Sequence, residues 1–425
     1  MLFLISCEKQ LNVEPTLSVS SITTEENVKN LLSGTYEIDG RGGSHGGYIQ
    51  VFSDLLGADQ QVSWNGTFAE PREALTKTMN VNNVLVAELW NNMYKTISQC
   101  NLVISHLGLV SDAAEKSRIE GEARFLRAFN YFELLRLYGS ETKGIPLRLN
   151  AINDYNGDLK IARSTPSAVY TAIIEDIEKA VSLLPAENKF YADKLAALAL
   201  QARVNLYFGK YAEARDAAHQ VISDPAKSLT SNFAAAFNND VNSSEDIYAT
   251  QVTSQSGENL MITFYASEDN GGRGGDISIN QAYLDIFDDP KDERANFYYK
   301  NGKEDRLSSK YSKQFTNVPI FRLAEMMLIR GECNLRLNSS TGKTPLDEIN
   351  TIRSRSGAAA LDKISLDVIL KERERELAFE GFGSYDIKRT KSTVAGLPYN
   401  SPKLVLPIPQ AEMDANKLME QNDGY

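Results

Sequence analysis

The sequence predicts a mainly α-helical protein: stacked helical hairpins form a scaffold, and long irregular insertions carry a ligand-binding face. Three observations lead there. Apolar residues recur at helical spacing over about 81–223 and 318–425. Two other stretches, about 38–80 and 224–306, lose that period yet stay rich in aromatic residues. Ala202 and Ala214 flank a Gly209-Lys210 turn, and small residues so placed let two antiparallel helices approach closely.

The first long helix is expected over Val81–Leu109, where Leu85, Leu89, Tyr94, Ile97, Leu102 and Ile104 are broadly on helical spacing. Ser111 and Asp112 offer caps for a second, Ala113–Tyr138, which Gly139 ends and Pro146 cannot prolong. Thr165-Pro166 opens a third, because proline loses nothing in a first turn; Pro185 stops it. Hairpins follow over 193–208 with 211–223 and over 320–337 with 345–355, then a helix over 366–379. Segments 113–138 and 166–184 form a further pair. The spacing about Gly209 resembles the tetratricopeptide pattern, although Asn205 stands where an aromatic is expected.

Composition narrows the function. With 45 basic and 56 acidic residues the net charge is −11, and no Lys/Arg block offers a nucleic-acid groove. The three histidines are not spaced as ligand pairs, so no metal site is expected, and no cofactor motif stands out. Cys100 and Cys333 read as packed free thiols. No run of about 18 apolar residues suggests a membrane helix. Leu4-Ile5-Ser6-Cys7 matches a lipobox, but the six residues ahead of Cys7 carry no basic side chain. Either the true start lies upstream of Met1, or Cys7 is an ordinary thiol.

Several motifs fail on context. Gly42-Gly43-Ser44-His45-Gly46 spells a nucleophile elbow, but it sits in a glycine-rich run with no strand ahead, which reads as a flexible loop. Gly342-Lys343-Thr344 lacks the leading glycine of a phosphate loop, since Leu337 stands there. Gly271-Gly272-Arg273-Gly274-Gly275 fails the dinucleotide spacing and reads as a mobile loop presenting one arginine. Asp154, Asn156 and Asp158 alternate without the glutamate that completes a calcium loop. The mixed run Lys371–Glu376 reads as a solvated helix face rather than a buried ion network. No acid–base pair emerges, and no enzyme is expected.

Taken in order, several segments resemble the SusD/RagB family of outer-membrane nutrient-binding lipoproteins. They are Arg124–Leu134 with Tyr138-Gly139 and Ile145-Pro146-Leu147; Arg163-Ser164-Thr165-Pro166 with Leu184-Pro185; and Arg322-Leu323-Ala324-Glu325 with Ile349–Gly357. Glu372–Gly381 with Asp386-Ile387-Lys388-Arg389 and the tail Leu406-Pro407-Ile408-Pro409 to Gln421–Tyr425 complete the series. The departures are Gly383 and Ser384, where an arginine and an aromatic are usual and whose replacement loosens that helix end, and Asp423 in place of a proline. The resemblance implies residues 1–7 as a signal remnant with lipidation at Cys7, and 8–425 as one domain. It further implies a surface protein that captures glycans and hands them to a SusC-type TonB-dependent transporter, without catalysis. The same fold capturing peptides, or a tetratricopeptide-like scaffold for protein partners, are the alternatives.

Sugar rings present C–H patches to aromatic faces, while their hydroxyls need amide, carboxylate and guanidinium partners. Trp64-Asn65 supplies both, with Phe68 and Arg72 close behind. Tyr265 and Arg273 from the second irregular stretch, then Tyr48 and Asp59, complete the candidate ligand face. Trp90, within a helical stretch, is assigned to the core. A single loop tryptophan points to a small or branched glycan rather than a long flat polymer.

Overall fold

In the computed structural model, which describes residues 22–152 and 158–425, most of the long helices begin where a side chain takes up a free first-turn amide. Along the chain come α1 (Glu25–Asp39), α2 (Tyr48–Gly57), α3 (Ala69–Thr76), α4 (Val84–Ser105), α5 (Ala113–Tyr138), α6 (Pro166–Leu183) and α7 (Lys194–Tyr207). Then follow α8 (Tyr211–Ile222), α9 (Leu260–Tyr265), α10 (Gln281–Leu284), α11 (Leu323–Arg336), α12 (Pro345–Arg355), α13 (Leu366–Leu377) and α14 (Gly383–Thr390). Asp112 accepts the Glu115 amide at 2.8 Å, and Thr165 the Ala168 amide at 3.2 Å, as the sequence predicts.

The three expected hairpins form: α5 packs with α6, α7 with α8, and α11 with α12. A fourth pair, α1 with α4, uses a helix that the sequence reading passed over. Buried arginines tie the stack with charge-assisted bonds. Arg127 holds Asp176 with both arms at 2.7 Å, joining α5 to α6. Arg203 holds Glu325 at 2.8 and 2.7 Å, joining α7 to α11, and Arg330 reaches Glu348 of α12 at 2.6 Å. Ala202, Ala214, Trp90, Cys100 and Cys333 are all buried, and Asn205 accepts the Tyr170 hydroxyl at 3.0 Å where the pattern expected an aromatic.

Three readings need correction. The helix expected from Ile320 starts at Leu323, because β-branched and aromatic residues before it form strand β6 (Val318–Arg322), paired antiparallel with β2 (Asp246–Thr250). The helix expected to reach Phe379 stops at Leu377, and Phe379 turns left-handed at φ 65°. The two irregular stretches hold short elements: α2 and α3 with β1 (Val62–Trp64), then α9 and α10 with β3 (Ile277–Ile279), β4 (Tyr298–Lys300) and β5 (Arg306–Ser308). Most residues of α2 and α9 are buried, and at ten and six residues both helices give a helical period little length over which to show. Strands β1, β3, β5 and β4 make one sheet in that order, so the two stretches meet edge to edge.

The charge run is also read wrongly as solvated. Glu372, Arg373, Arg375 and Glu376 are buried. Glu376 meets Arg294 and Arg322, each at 3.2 Å, and Arg355; Glu372 meets Arg294 at 2.6 Å and Arg353 at 3.0 Å. Arg322 and Lys310 share Glu380, and Asp292 completes the pairing of Arg294. The neighbouring cations hold the Glu376 and Glu380 carboxyls well below the usual carboxylate range against the cost of burial.

Gly383 and Ser384 tighten their helix end rather than loosening it. A methyl group on Gly57 would stand 2.1 Å from the Gly383 carbonyl carbon, so α2 and α14 touch backbone to backbone. Ser384 and Ser53 join hydroxyls at 2.9 Å. In this junction Asp54 accepts the amides of Gly381 (3.0 Å) and Gly383 (3.2 Å), and burial pushes its carboxyl from 3.8 up to about 7. A raised carboxyl favours the folded state while protonated, so its contribution is present below the ordinary value and lost as pH rises through about 7. Asp54→Asn is expected to make the fall in urea midpoint over that interval shallower; a midpoint profile parallel to the parent's would refute the assignment.

Candidate functional site

The pairing of β1 with β3 builds the candidate face. Trp64 lies opposite Ile277, and beyond it the Asn65 amide donates to Asp276 O at 2.7 Å while its side chain donates to Ser278 Oγ at 2.9 Å. The chain turns at Gly66, where a methyl group would strike the Asp276 carboxyl at 2.6 Å and the Trp64 ring at 2.7 Å. That turn carries Thr67 and Phe68 outward, and α3 follows. Arg72, on the first turns of α3, reaches back to Gly66 O at 2.8 Å.

Against this turn stands Arg273. Its guanidinium lies 3.7 Å from the Phe68 ring centroid, donates to Thr67 Oγ1 at 3.1 Å and pairs with Asp276 at 3.3 Å. The loop bearing it is a pinned turn rather than a mobile one: the Gly272 amide donates to Ser267 O, Arg273 to Thr263 O and Gly275 to Ala266 O. The half-buried Trp64 packs on Phe264 at 5.7 Å, and its Nε1–H is spent on Phe68 O at 3.0 Å. The indole therefore offers a ligand its face and edge carbons, not a hydrogen bond. Tyr48 closes the other side, packed on the same Phe264, with its hydroxyl pushed up to about 12, chiefly by burial.

Behind the platform Lys77 fixes the frame. Its buried ammonium donates to the carbonyls of Leu55, Ala58 and Leu75, taking up helix-end acceptors of α2 and α3, and burial pulls it down to about 8.

Of the candidates, the structure thus gathers Trp64, Asn65, Phe68, Arg72, Arg273 and Tyr48 on one face. Tyr265 does not belong there. It is 1 % exposed and packs at a tilt against Tyr311 and Phe379, because the short α9 sends Phe264 towards Trp64 and Tyr265 towards Asp54. Asp59 is exposed but lies at a different cavity, of about 470 Å³, between α2, α13 and α14. The glycine-rich run is a buried turn rather than a flexible loop: His45 Nδ1 lies 3.0 Å from Asp39, and its ring stacks on Phe129 at 3.9 Å, sealed from solvent together with Ser44. Cys7, Asp154 and Asn156 lie outside the described residues.

One contributor escaped the sequence reading. Phe315, 45 % exposed, borders a polar cleft beside the platform, and its only signal was an apolar residue in the polar run Lys313–Asn317. Among the described residues no group of His, Cys, Asp or Glu could hold a metal ion, and no helix is long and apolar enough to cross a membrane.

Comparison with known proteins agrees with this architecture. A family model described as SusD-like, starch-binding and associating with the outer membrane, matches residues 9–206, and the SusD family model matches residues 295–400. The chain is 25 % identical to the SusD-like protein P38 of Formosa agariphila, over 99 % of this chain and 96 % of that one. Its fold matches a SusD superfamily protein from Bacteroides thetaiotaomicron with a TM-score of 0.84 at 24 % identity, covering 94 % of this chain and all of that one. It also matches the surface glycan-binding protein A of Bacteroides uniformis, with a TM-score of 0.80 at 20 % identity over 94 % and 99 % of the two chains.

Proposed function

The chain belongs to the SusD/RagB family, and on that premise we propose that it captures oligosaccharides at the cell surface and passes them to a SusC-type TonB-dependent transporter. Lipid on Cys7 would hold it at the outer membrane, and residues 8–425 would act as one binding domain. Its role is binding, not catalysis.

The observation that carries this reading is the platform of Trp64, Phe68 and Arg273. An aromatic face with its polar edge already satisfied suits the C–H patches of a sugar ring, and Asn65, Arg72 and Thr67 around it suit hydroxyls. The platform is held before any ligand arrives, so little ordering opposes binding.

Calorimetric titration of the Cys7→Ser chain against oligosaccharides and peptides tests the reading. Saccharide binding is expected, weakened about tenfold or more by Trp64→Ala and less by Trp64→Phe. Binding of peptides alone would overturn it, and saccharide binding indifferent to Trp64→Ala would move the site elsewhere.

A further inference from the structure

Beside the platform lies a polar cleft of about 510 Å³ whose lining includes Arg41, Gln255, Gln314 and Phe315. Phe315 is unlike the other large apolar side chains near it. Almost half exposed, it is held at φ 58°, a left-handed conformation that a bulky residue adopts only when its surroundings impose it. The surroundings do so: Asn259 donates to Thr316 O at 3.0 Å, Asn317 donates to Asn239 O at 2.9 Å, and the Asn317 side chain takes the Val252 amide at 3.0 Å. Two of the residues that fix this turn, Asn259 and Val252, line the cleft themselves, so the ring is presented rather than left over.

Cleft and platform share a wall. Thr263 lines the cleft and accepts the Arg273 amide at 3.1 Å, while the next residue, Phe264, lies under Trp64. Glu258 lines the cleft and takes the Gly42 amide at 2.6 Å, and Gly42 in turn accepts the Tyr48 amide.

The charges around both parts select a class of ligand. Arg41 is paired with Glu37 and Arg273 with Asp276, while Arg72 donates to a carbonyl; the exposed Glu258, Glu268 and Asp269 outnumber that one cation on a chain whose net charge is −11. A polyanion approaching this face is repelled.

We propose that the cleft at Phe315 is a second saccharide subsite continuous with the Trp64–Phe68 platform, and that the ligand is an extended, uncharged oligosaccharide. This rests on the glycan reading above, and it differs from the small ligand that a single loop tryptophan suggests, because Phe315 supplies a second aromatic surface.

The test uses the Cys7→Ser chain and graded neutral oligosaccharides, from disaccharide to octasaccharide in the malto, cello, xylo and manno series. Uronate and sulfated oligosaccharides serve as the charged comparison. A neutral series is expected to bind with affinity rising about tenfold with length. Phe315→Ala should erase that rise while sparing the shortest ligand, whereas Trp64→Ala weakens all lengths. Phe315→Gly, which relaxes the left-handed backbone, should lose the same length dependence while melting no lower than the parent, excluding misfolding as the cause. A length dependence untouched in both Phe315 variants overturns the subsite while leaving the platform standing. Preference for charged oligosaccharides overturns the ligand class, and absence of binding to every saccharide, neutral or charged, overturns this proposal together with the glycan reading.

Discussion

Glu376→Gln is expected to cost about 3–5 kcal/mol, lowering the urea midpoint with an unchanged slope. The substitution keeps the volume and removes one charge. Arg294, Arg322 and Arg355 then stay buried with their shared counter-charge gone, and a buried cation cannot recover its lost hydration. Glu374, on the same helix, is the control. Its carboxylate pairs with Lys371 at the surface, with side chains 37 % and 46 % exposed, so Glu374→Gln is expected to stay within about 0.5 kcal/mol. Equal effects at the two positions would mean that the network is not closed to water. Acid acts on the same groups. Carboxyls held low contribute stability above their ordinary value and lose it as pH falls through the depressed one, which applies to Glu376 and Glu380.

Gly57→Ala is expected to be nearly as damaging, about 3 kcal/mol, through overpacking. The added carbon would lie 2.1 Å from the Gly383 carbonyl carbon and 2.4 Å from the Ser384 nitrogen, both backbone atoms that no rotamer change can move aside. Helices α2 and α14 must separate. Because α2 starts at Tyr48 and runs on into β1, saccharide affinity should fall along with the urea midpoint. Gly34→Ala should do the opposite. That glycine is inside α1 with nothing within 4 Å of the new methyl, so helix propensity alone gains about 0.5–1 kcal/mol. A stable Gly57→Ala protein would show that the two helices are not in backbone contact.

How far the sequence could be read depended on where each element finds its partners. Helices that bury one stripe, such as α6 with Val169, Ile173, Ile177 and Ala180, show their period and their ends. Helix α1 carries the same kind of stripe in Val28, Leu32 and Ile38, and it was legible though unread. Helices α2 and α9, of ten and six residues, give a helical period too little length to stand out. The run at 371–376 misled because alternating charge on a helix is usually a wet face; only the cations supplied by residues 294, 310, 322, 353 and 355 make it an interior. Within the site, residue type pointed to Trp64 and Arg273, but the direction of one turn of α9 decided between Phe264 and Tyr265, and that direction is a tertiary fact.

Stacked helical pairs ordinarily behave as elastic rods, since each repeat touches only its neighbours and small rotations add along the stack. Here α14 lies across the stack as a crossbar. Ser384 bonds to Ser53 of α2, Lys388 to the Arg136 carbonyl of α5, and Tyr385 to the Arg203 carbonyl of α7 at 2.6 Å. Bending at any one joint would have to break bonds at the others. The array is therefore braced like a truss rather than sprung, and a ligand platform mounted on α2 and β1 travels with the whole molecule as a rigid body.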